Sequence, residues 1–324
     1  MRRLHELYQG DIIRRDHSFI VPGYRLLSGR KHRIHILAMG DVGGTLALAI
    51  RLVGSDVVSE IGICDINEKS ISRWEQELNQ ITMPDDPSAF PEVVPVQVKD
   101  LFQCDAVVFC ASAGVPDLSR KDVDVRMVQL EKNRELIDGY AAAAVRAGYE
   151  GEFFVVSDPV DPLCRAALQG GIGSKRIQGF GLGVMNARAA YYARRDPAFA
   201  SYLTGGRVFG PHGKDLVVAD DINHYDDAKS KRLTEMTVQA NVMIRETGFK
   251  PYIAPAVSSG ALSILENLRG HWQYSSAWFG GEDGTFLGMR NRRTEEGLEI
   301  EDLPLDDRLF DRIERAFIHL KKLR

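Results

Sequence analysis

The stretch Ile34-His-Ile-Leu-Ala-Met-Gly-Asp-Val-Gly-Gly-Thr45 leads from an apolar segment through a glycine-rich turn into a second apolar segment with helical spacing. It predicts a β-strand, a tight turn and a helix N-terminus, whose exposed backbone N–H groups can hold a pyrophosphate. Gly40 and Gly43 occupy the second and third glycine positions of the dinucleotide fingerprint, and Ala38 replaces the first. An ordinary strand-to-helix turn is the alternative. The residues expected to contact the dinucleotide here are Gly40, Asp41, Val42 and Gly43.

An acidic residue, Asp65, follows about 20 residues later at the end of the apolar run 61–64. In a dinucleotide-binding βαβ unit, an acid at this place accepts hydrogen bonds from the adenosine ribose. Its charge would also repel a 2′-phosphate, so the sequence favours NAD over NADP as the cofactor. A solvated acid at a strand end is the alternative interpretation.

Short apolar runs alternate with segments of helical spacing through the first half of the chain. The expected strands are Ile34–Met39, Ile61–Asp65, Val93–Val98, Ala106–Ala111 and Phe153–Ser157, and the expected helices are Val42–Val53, Asn67–Gln80 and Val125–Ala147. Continuous apolar strands separated by helices predict an α/β fold with a Rossmann-type, doubly wound parallel sheet.

The pattern changes after Asp161. Short β runs, two long helical stretches (Asp226–Thr247 and Ala254–Leu268), further β runs and a charged amphipathic helix at Asp306–Lys322 predict an α+β domain. We therefore expect an N-terminal arm over residues 1–31, an NAD-binding domain over 32–160, and a substrate and catalytic domain over 161–324.

The composition is that of a globular protein, with 44% hydrophobic and 27% charged residues in 324. Lys and Arg number 41 against 45 Asp and Glu, which leaves no excess of positive charge for a nucleic-acid backbone. No apolar run approaches the ~18–20 residues that cross a bilayer. The four cysteines show neither metal-ligand spacing nor a CxxC pair. We expect a cytoplasmic protein with no nucleic-acid partner, no membrane partner and no metal.

Four motifs then appear in an order found in a known family. They are Ala111-Ser-Ala-Gly-Val-Pro116, Arg126 followed seven residues later by Asn133, Val156-Ser-Asp-Pro-Val-Asp161, and Gly210-Pro-His-Gly213. Together they resemble the lactate/malate dehydrogenase family from about Ile34 to the C-terminal helix. The resemblance implies NAD binding, a homodimer or homotetramer, and hydride transfer between nicotinamide and C2 of a small 2-hydroxy acid. It adds to the expected cofactor-binding residues Ala111, Ala113, Gly114 and Asp158.

The same resemblance implies roles for three further residues. His212 matches the catalytic histidine, whose imidazole takes the alcohol proton and returns it during carbonyl reduction. Arg126 matches an arginine on a closing loop, where a guanidinium polarises the substrate carbonyl. Asn133 is assigned to the substrate side of the site. A histidine in a surface turn and a solvated first-turn arginine are the alternatives for the first two.

Two departures from the family fall on a helix of the second domain. The family has Asp-x-x-Arg there, an acid that charges the histidine and an arginine that grips the substrate carboxylate. Here Asn186 replaces the acid and Ala189 replaces the arginine. Asn186 remains a catalytic candidate and the adjacent Arg188 a substrate-binding one, although a helical step of ~100° turns Arg188 away unless the helix is re-registered.

A third departure is Asp117, at the position where the family distinguishes substrate side chains. An anion there opposes a dicarboxylate such as malate, unless the side chain points to solvent. Two functions remain open at this stage. One is an NAD-dependent dehydrogenase with an altered substrate, and the other is a catalytically impaired NAD-binding paralogue that acts as a sensor or assembly partner.

Overall fold

The computed structural model describes residues 1–113 and 125–323, and for residues 125–129 the backbone alone. Two compact units make up the chain, residues 29–178 and residues 1–28 together with 179–324. Residues 1–28 therefore belong with the C-terminal half, whereas the sequence predicted a separate arm. The units divide after residue 178, 18 residues beyond the boundary expected from the change in pattern.

The N-terminal segment joins the C-terminal unit through β-pairing. It contains β1 (Ile13–Arg14) and β2 (Ser18–Val21), and all four residues of β2 are buried. β2 pairs antiparallel with residues 298–301 on one side and with β1 on the other, so one edge of the strand bonds to the far end of the chain. This pairing is the physical reason why the N-terminal segment groups with the C-terminal unit.

The unit 29–178 alternates strands and helices as the sequence predicts. Its elements are β3 (His32–Leu37), α1 (Asp41–Val53), β4 (Val58–Cys64), α2 (Glu68–Asn79), β5 (Glu92–Pro95), β6 (Ala106–Phe109), α3 (Val125–Arg146), β7 (Glu152–Val155) and α4 (Val160–Gln169). Among its described residues, β5, β4, β3, β6 and β7 pair in parallel in that order. The predicted doubly wound sheet is confirmed.

The order of these strands defines a switch point. The chain runs from β3 outward through β4 to β5, then returns to the other side of β3 with β6 and β7. Ligands of open parallel sheets bind at the carboxyl ends of the strands where the order reverses. The loops after β3 and β6 are therefore the expected place for a cofactor.

The second unit is α+β, as predicted. After β8 (Ile177–Gly179), in which the unit boundary falls, it contains α5 (Leu182–Ala193), α6 (Tyr202–Gly205), β9 (Arg207–Phe209), β10 (Val217–Ala219), α7 (Asp227–Glu246), α8 (Ser263–Arg269), β11 (Gln273–Phe279), β12 (Thr285–Thr294), β13 (Gly297–Glu301) and α9 (Asp307–Lys322). β2, β13, β12 and β11 form consecutive antiparallel pairs, and β9 and β10 form a separate hairpin.

Helix α9 closes the core of this unit with one apolar stripe. The buried residues of the stripe are Leu309, Phe310, Ile313, Ala316, Phe317 and Leu320. Their spacing of three and four residues places them on one face of the helix. They share a core cluster with Phe19 of β2 and Phe279 of β11, so α9 is a rigid element of the unit.

The predicted helix over 254–268 has an irregular first half. Residues Pro255–Leu262 form a π-helical segment that continues into α8. The hydroxyl of Ser259 donates to the Gly181 carbonyl at 2.8 Å and accepts from the Val184 amide at 2.8 Å. These bonds tie the segment to the first turn of α5. A Cβ at Gly183 would lie 2.6 Å from the Ser258 carbonyl oxygen, so only glycine permits this approach.

Among the residues described, no helix is long and apolar enough to span a membrane.

Candidate functional site

The turn between β3 and α1 has the backbone of a dinucleotide-binding loop. Ala38 adopts φ 75°, a left-handed conformation that favours glycine. A Cβ at Gly43 would lie 2.0 Å from the Ala38 carbonyl oxygen, so glycine is required for α1 to pack against the turn. A Cβ at Gly40 would meet nothing within 4 Å, so space is open beside the N-cap of α1. The two glycines thus serve packing and access respectively.

The side chains of Asp65 and Trp74 fix the backbone of Met39, the turn residue between Ala38 and Gly40. The Met39 amide donates to Asp65 Oδ2 at 2.6 Å, and Trp74 Nε1 donates to the Met39 carbonyl at 2.8 Å. The Asn67 amide donates to Asp65 Oδ1 at 2.9 Å. Asp65 is therefore fixed at the carboxyl end of β4 and faces the glycine turn. The sequence motif predicts Asp65 but not Trp74, because a tryptophan in an amphipathic helix has no pattern that distinguishes it from a packing residue.

These residues fit a bound dinucleotide. The first turn of α1 has backbone N–H groups without intrahelical partners beside the open side of Gly40, which is the chemistry a pyrophosphate needs. A carboxylate has about four acceptor sites, so Asp65 can bind ribose hydroxyls in addition to its two amide donors. Asp41, exposed at the first position of α1, adds a negative charge that opposes an anion at the same place.

The loops after β6 and β7 are joined by one buried amide. Asn133 of α3 is fully buried; its Oδ1 accepts from the Ala113 amide at 2.8 Å and its Nδ2 donates to the Asp158 carbonyl at 2.9 Å. The Ser157 hydroxyl donates to the Ala111 carbonyl at 2.7 Å, which adds a second tie. The predicted cofactor residues 111, 113 and 158 therefore lie on two loops that these hydrogen bonds link to each other. The assignment of Asn133 to the substrate stays a prediction, with a positioning function now visible beside it.

His212 lies in the other unit, at the tip of the β9–β10 hairpin. The tip begins at Gly210, whose φ is 86° and whose amide donates to the Gly288 carbonyl at 2.9 Å. His212 itself is half-buried. Asp215 closes the tip with φ 71°, and its Oδ2 lies 2.6 Å from His319 Nδ1 of α9. The histidine is thus presented on a short loop tied at both ends.

Helix α5 carries the residues that depart from the family pattern. The Tyr202 hydroxyl donates to Asn186 Oδ1 at 2.8 Å, and burial raises the pKa of Tyr202 well above 10, which keeps the phenol a neutral donor. The Arg188 guanidinium donates to Asn241 of α7. Ala189 is fully buried in the apolar cluster that α5 shares with α6 and α7. Arg188 thus contacts α7, and its assignment to the substrate stays a prediction.

Three predicted site residues lie outside what the structure describes. Gly114 and Asp117 fall in residues 114–124, and the side chain of Arg126 falls in the part of α3 where only the backbone is described. Their assignments remain those of the sequence.

Comparison with known proteins agrees with this geometry. Residues 32–179 match the family model of the lactate/malate dehydrogenase NAD binding domain, which coincides closely with the unit 29–178. L-lactate dehydrogenase 2 of Staphylococcus aureus is 26% identical over 320 residues, covering 90% of this chain and 97% of the relative. NAD is therefore the cofactor of the parallel-sheet unit.

Solved structures share the fold over nearly the whole chain. The minor L-lactate dehydrogenase of Enterococcus mundtii has a TM-score of 0.74 at 20% identity and covers 90% of this chain and 97% of its own. The malate dehydrogenase of Archaeoglobus fulgidus in complex with NADH has a TM-score of 0.70 at 20% identity, over 90% of this chain and 98% of its own. Residues 32–179 thus match the NAD-binding domain of the lactate/malate dehydrogenase family, and the chain is similar to lactate and malate dehydrogenases over nearly its full length.

Proposed function

We propose that this protein is an NAD-dependent oxidoreductase that interconverts a 2-hydroxy acid, or a related alcohol, with its 2-oxo partner. The observation that carries the proposal is the glycine turn fixed by Asp65 and Trp74, within a domain that matches the NAD-binding domain of lactate and malate dehydrogenases. The relatives named above are lactate and malate dehydrogenases, which sets the substrate class.

Each residue has a part in this reaction. Bound NAD supplies the carrier for the transferred hydride. The amides of residues 40–43 hold the pyrophosphate, and Asp65 accepts hydrogen bonds from the adenosine ribose. His212 takes the proton from the substrate hydroxyl during oxidation and returns it during reduction. Arg126 polarises the substrate carbonyl.

Asn186 changes how the histidine is supported. An amide orients an imidazole but cannot neutralise an imidazolium, and in a comparable triad the change from acid to amide cost ~10⁴ in turnover. The Tyr202 hydroxyl donates to Asn186 Oδ1, so the N–H₂ group of the same amide remains as the donor that can orient an imidazole. We expect a slower enzyme than one with an acid at this position.

The substrate should carry less negative charge than malate. Ala189 cannot grip a C1 carboxylate, and Asp117 would repel a second one. A hydroxyl-rich or cationic substituent suits Asp117 better, since a carboxylate can bind either.

The proposed assembly is a homodimer or homotetramer in the cytoplasm. Exposed apolar side chains gather near the end of α7 and just beyond it, with Phe249 75% and Ile253 62% exposed. An apolar patch of this kind is typical of a protein interface. The four free cysteines suit a reducing compartment. Light scattering after gel filtration would measure the oligomer directly.

The test combines binding with turnover. NADH titration by calorimetry comes first, followed by a screen of neutral, anionic and cationic 2-hydroxy and 2-oxo compounds that records NADH absorbance. Binding with turnover of at least one compound supports the proposal. Binding with no turnover across the screen would favour an NAD sensor, and failure to bind NADH would refute both.

A further inference from the structure

The His212 loop is attached to helix α9 at both of its ends. A Cβ at Gly210 would lie 3.4 Å from the Ala316 Cβ, so the first residue of the tip packs on the helix. Three residues further along α9, His319 Nδ1 donates to Asp215 Oδ2 at 2.6 Å. Residues three apart lie on the same face of a helix. One face of α9 therefore contacts the residues that open and close the tip.

The backbone of the tip has a positive φ at two of its later residues. Asp215 has φ 71° and Gly213 has φ 139°. For a residue other than glycine the left-handed region is unfavourable, and such a conformation persists where the surroundings hold it. Within the tip, the Leu216 amide donates to the Gly213 carbonyl at 3.1 Å. The contact from His319 ties Asp215 to an element outside the hairpin.

Helix α9 is a firm anchor for this contact. Its apolar stripe is buried in the core, and the Arg2 guanidinium lies 3.6 Å from the centre of the Phe310 ring. Because one face of α9 is packed in the core, a side chain bonded to α9 is anchored to that core. A loop fastened to α9 at two points keeps His212 in one place.

We propose that His319, through its hydrogen bond to Asp215, is a positioning residue that holds the His212 imidazole in the orientation needed for proton transfer. This inference rests on the proposed function, in which His212 moves the proton. His319 acts through Asp215 and the loop backbone, so its loss affects the geometry of the reacting group and leaves cofactor binding unchanged. A misplacement of about 1 Å at such a group can reduce the rate by about 100-fold.

The chain offers a matched control on the same helix. Lys321 Nζ donates to Asp283 at 2.7 Å, so it also ties the end of α9 to a loop, but to the loop between β11 and β12. Both contacts join a side chain of α9 to a loop carboxylate at the protein surface, at 2.6 and 2.7 Å. His319→Ala and Lys321→Gln should therefore lower the melting temperature by similar small amounts.

The kinetic test separates positioning from stability. His319→Ala should lower kcat about tenfold or more, with the KM for NADH within about twofold of the wild type. His319→Gln, whose amide can still donate to Asp215, should recover most of kcat, and Lys321→Gln should match the wild type. Equal kcat values for His319→Ala and Lys321→Gln would overturn the proposal.

A second readout does not depend on turnover. The chain has eight histidines, and the ring Cε1–H signal of His212 in a ¹³C-histidine NMR spectrum can be assigned by its loss in His212→Gln. His319→Ala should shift or broaden that signal, whereas Lys321→Gln should leave it in place. If the wild type turns over no substrate but the signal responds, the proposed reaction fails and the positioning contact stands. An unchanged signal in His319→Ala would refute the contact.

Discussion

Replacement of Asp65 by Asn tests the cofactor site at its most specific point. The carboxylate accepts two backbone amides, from Met39 and Asn67, and it is half-buried at the end of β4. A 2′-phosphate beside it would add about 1.5 to 2 negative charges. Two unit charges 4 Å apart repel by ~1 kcal/mol in water and ~4 kcal/mol at an effective dielectric constant of 20.

For this half-buried position we expect roughly 2–4 kcal/mol of discrimination, which makes wild-type binding of NADPH about 30- to 1000-fold weaker than that of NADH. Asp65→Asn keeps one acceptor for the Met39 amide but removes the charge. NADPH affinity should therefore rise by about tenfold or more, while NADH affinity should fall by about tenfold with the loss of a charged hydrogen bond to ribose.

Calorimetry with both cofactors measures the change, at low and at high salt, because screening weakens the repulsion. Glu68→Gln is the control, since Glu68 is an exposed acid in the first turn of α2, three residues further on. Equal wild-type affinities for NADH and NADPH, or the same response in both variants, would show that Asp65 does not bind the adenosine ribose.

Four further predictions concern turnover and stability. His212→Asn should abolish turnover while NADH binding, followed by fluorescence, stays close to the wild type; a loss of both would indicate a structural histidine. Asn186→Asp should raise kcat for oxidation, because a carboxylate stabilises the imidazolium that forms; an unchanged kcat would mean that this residue does not support His212. Asp117→Arg should create malate activity that the wild type lacks, and malate as the best wild-type substrate would contradict the role of Asp117. Burial lowers the pKa of His35 below its ordinary 6.5, so the unfolded chain binds this proton more readily than the folded one. As the pH drops below about 6.5, the free energy of unfolding should therefore decrease by up to ~1.4 kcal/mol per pH unit. Denaturant midpoints should depend less on pH in His35→Gln than in the wild type, and an equal dependence would mean that another group causes the effect.

Local patterns in the sequence predicted the parallel-sheet unit well, because each element there has its own signal. The glycine turn at 38–43, the acid at 65 and the alternating apolar runs depend on neighbours within a few residues. The helix N-terminus after the glycine turn and the position of Asp65 at the carboxyl end of its strand were both expected and are present in the structure.

The features that were missed depend on residues far apart in the chain. The pairing of β2 with β13 joins segments about 280 residues apart, and Ser18–Val21 is too short a run to predict its partner. The contact between Asp215 and His319 spans 104 residues. The π-helical segment at 255–262 is bonded to the start of α5 through Ser259, and these bonds cannot be predicted from residue spacing. Each of these three features depends on a contact with a residue that is close only in the folded chain.

The pairing of β2 with β13 also has a consequence for the order in which the chain folds during synthesis. Residues 18–21 leave the ribosome long before residues 297–301, so their apolar side chains wait for most of the chain to be made. The parallel-sheet unit between them needs only residues 29–178 and can fold in the meantime. Closing a loop of nearly the full chain length is entropically unfavourable, so we expect the pairing of β2 with β13 to be the slow step of folding.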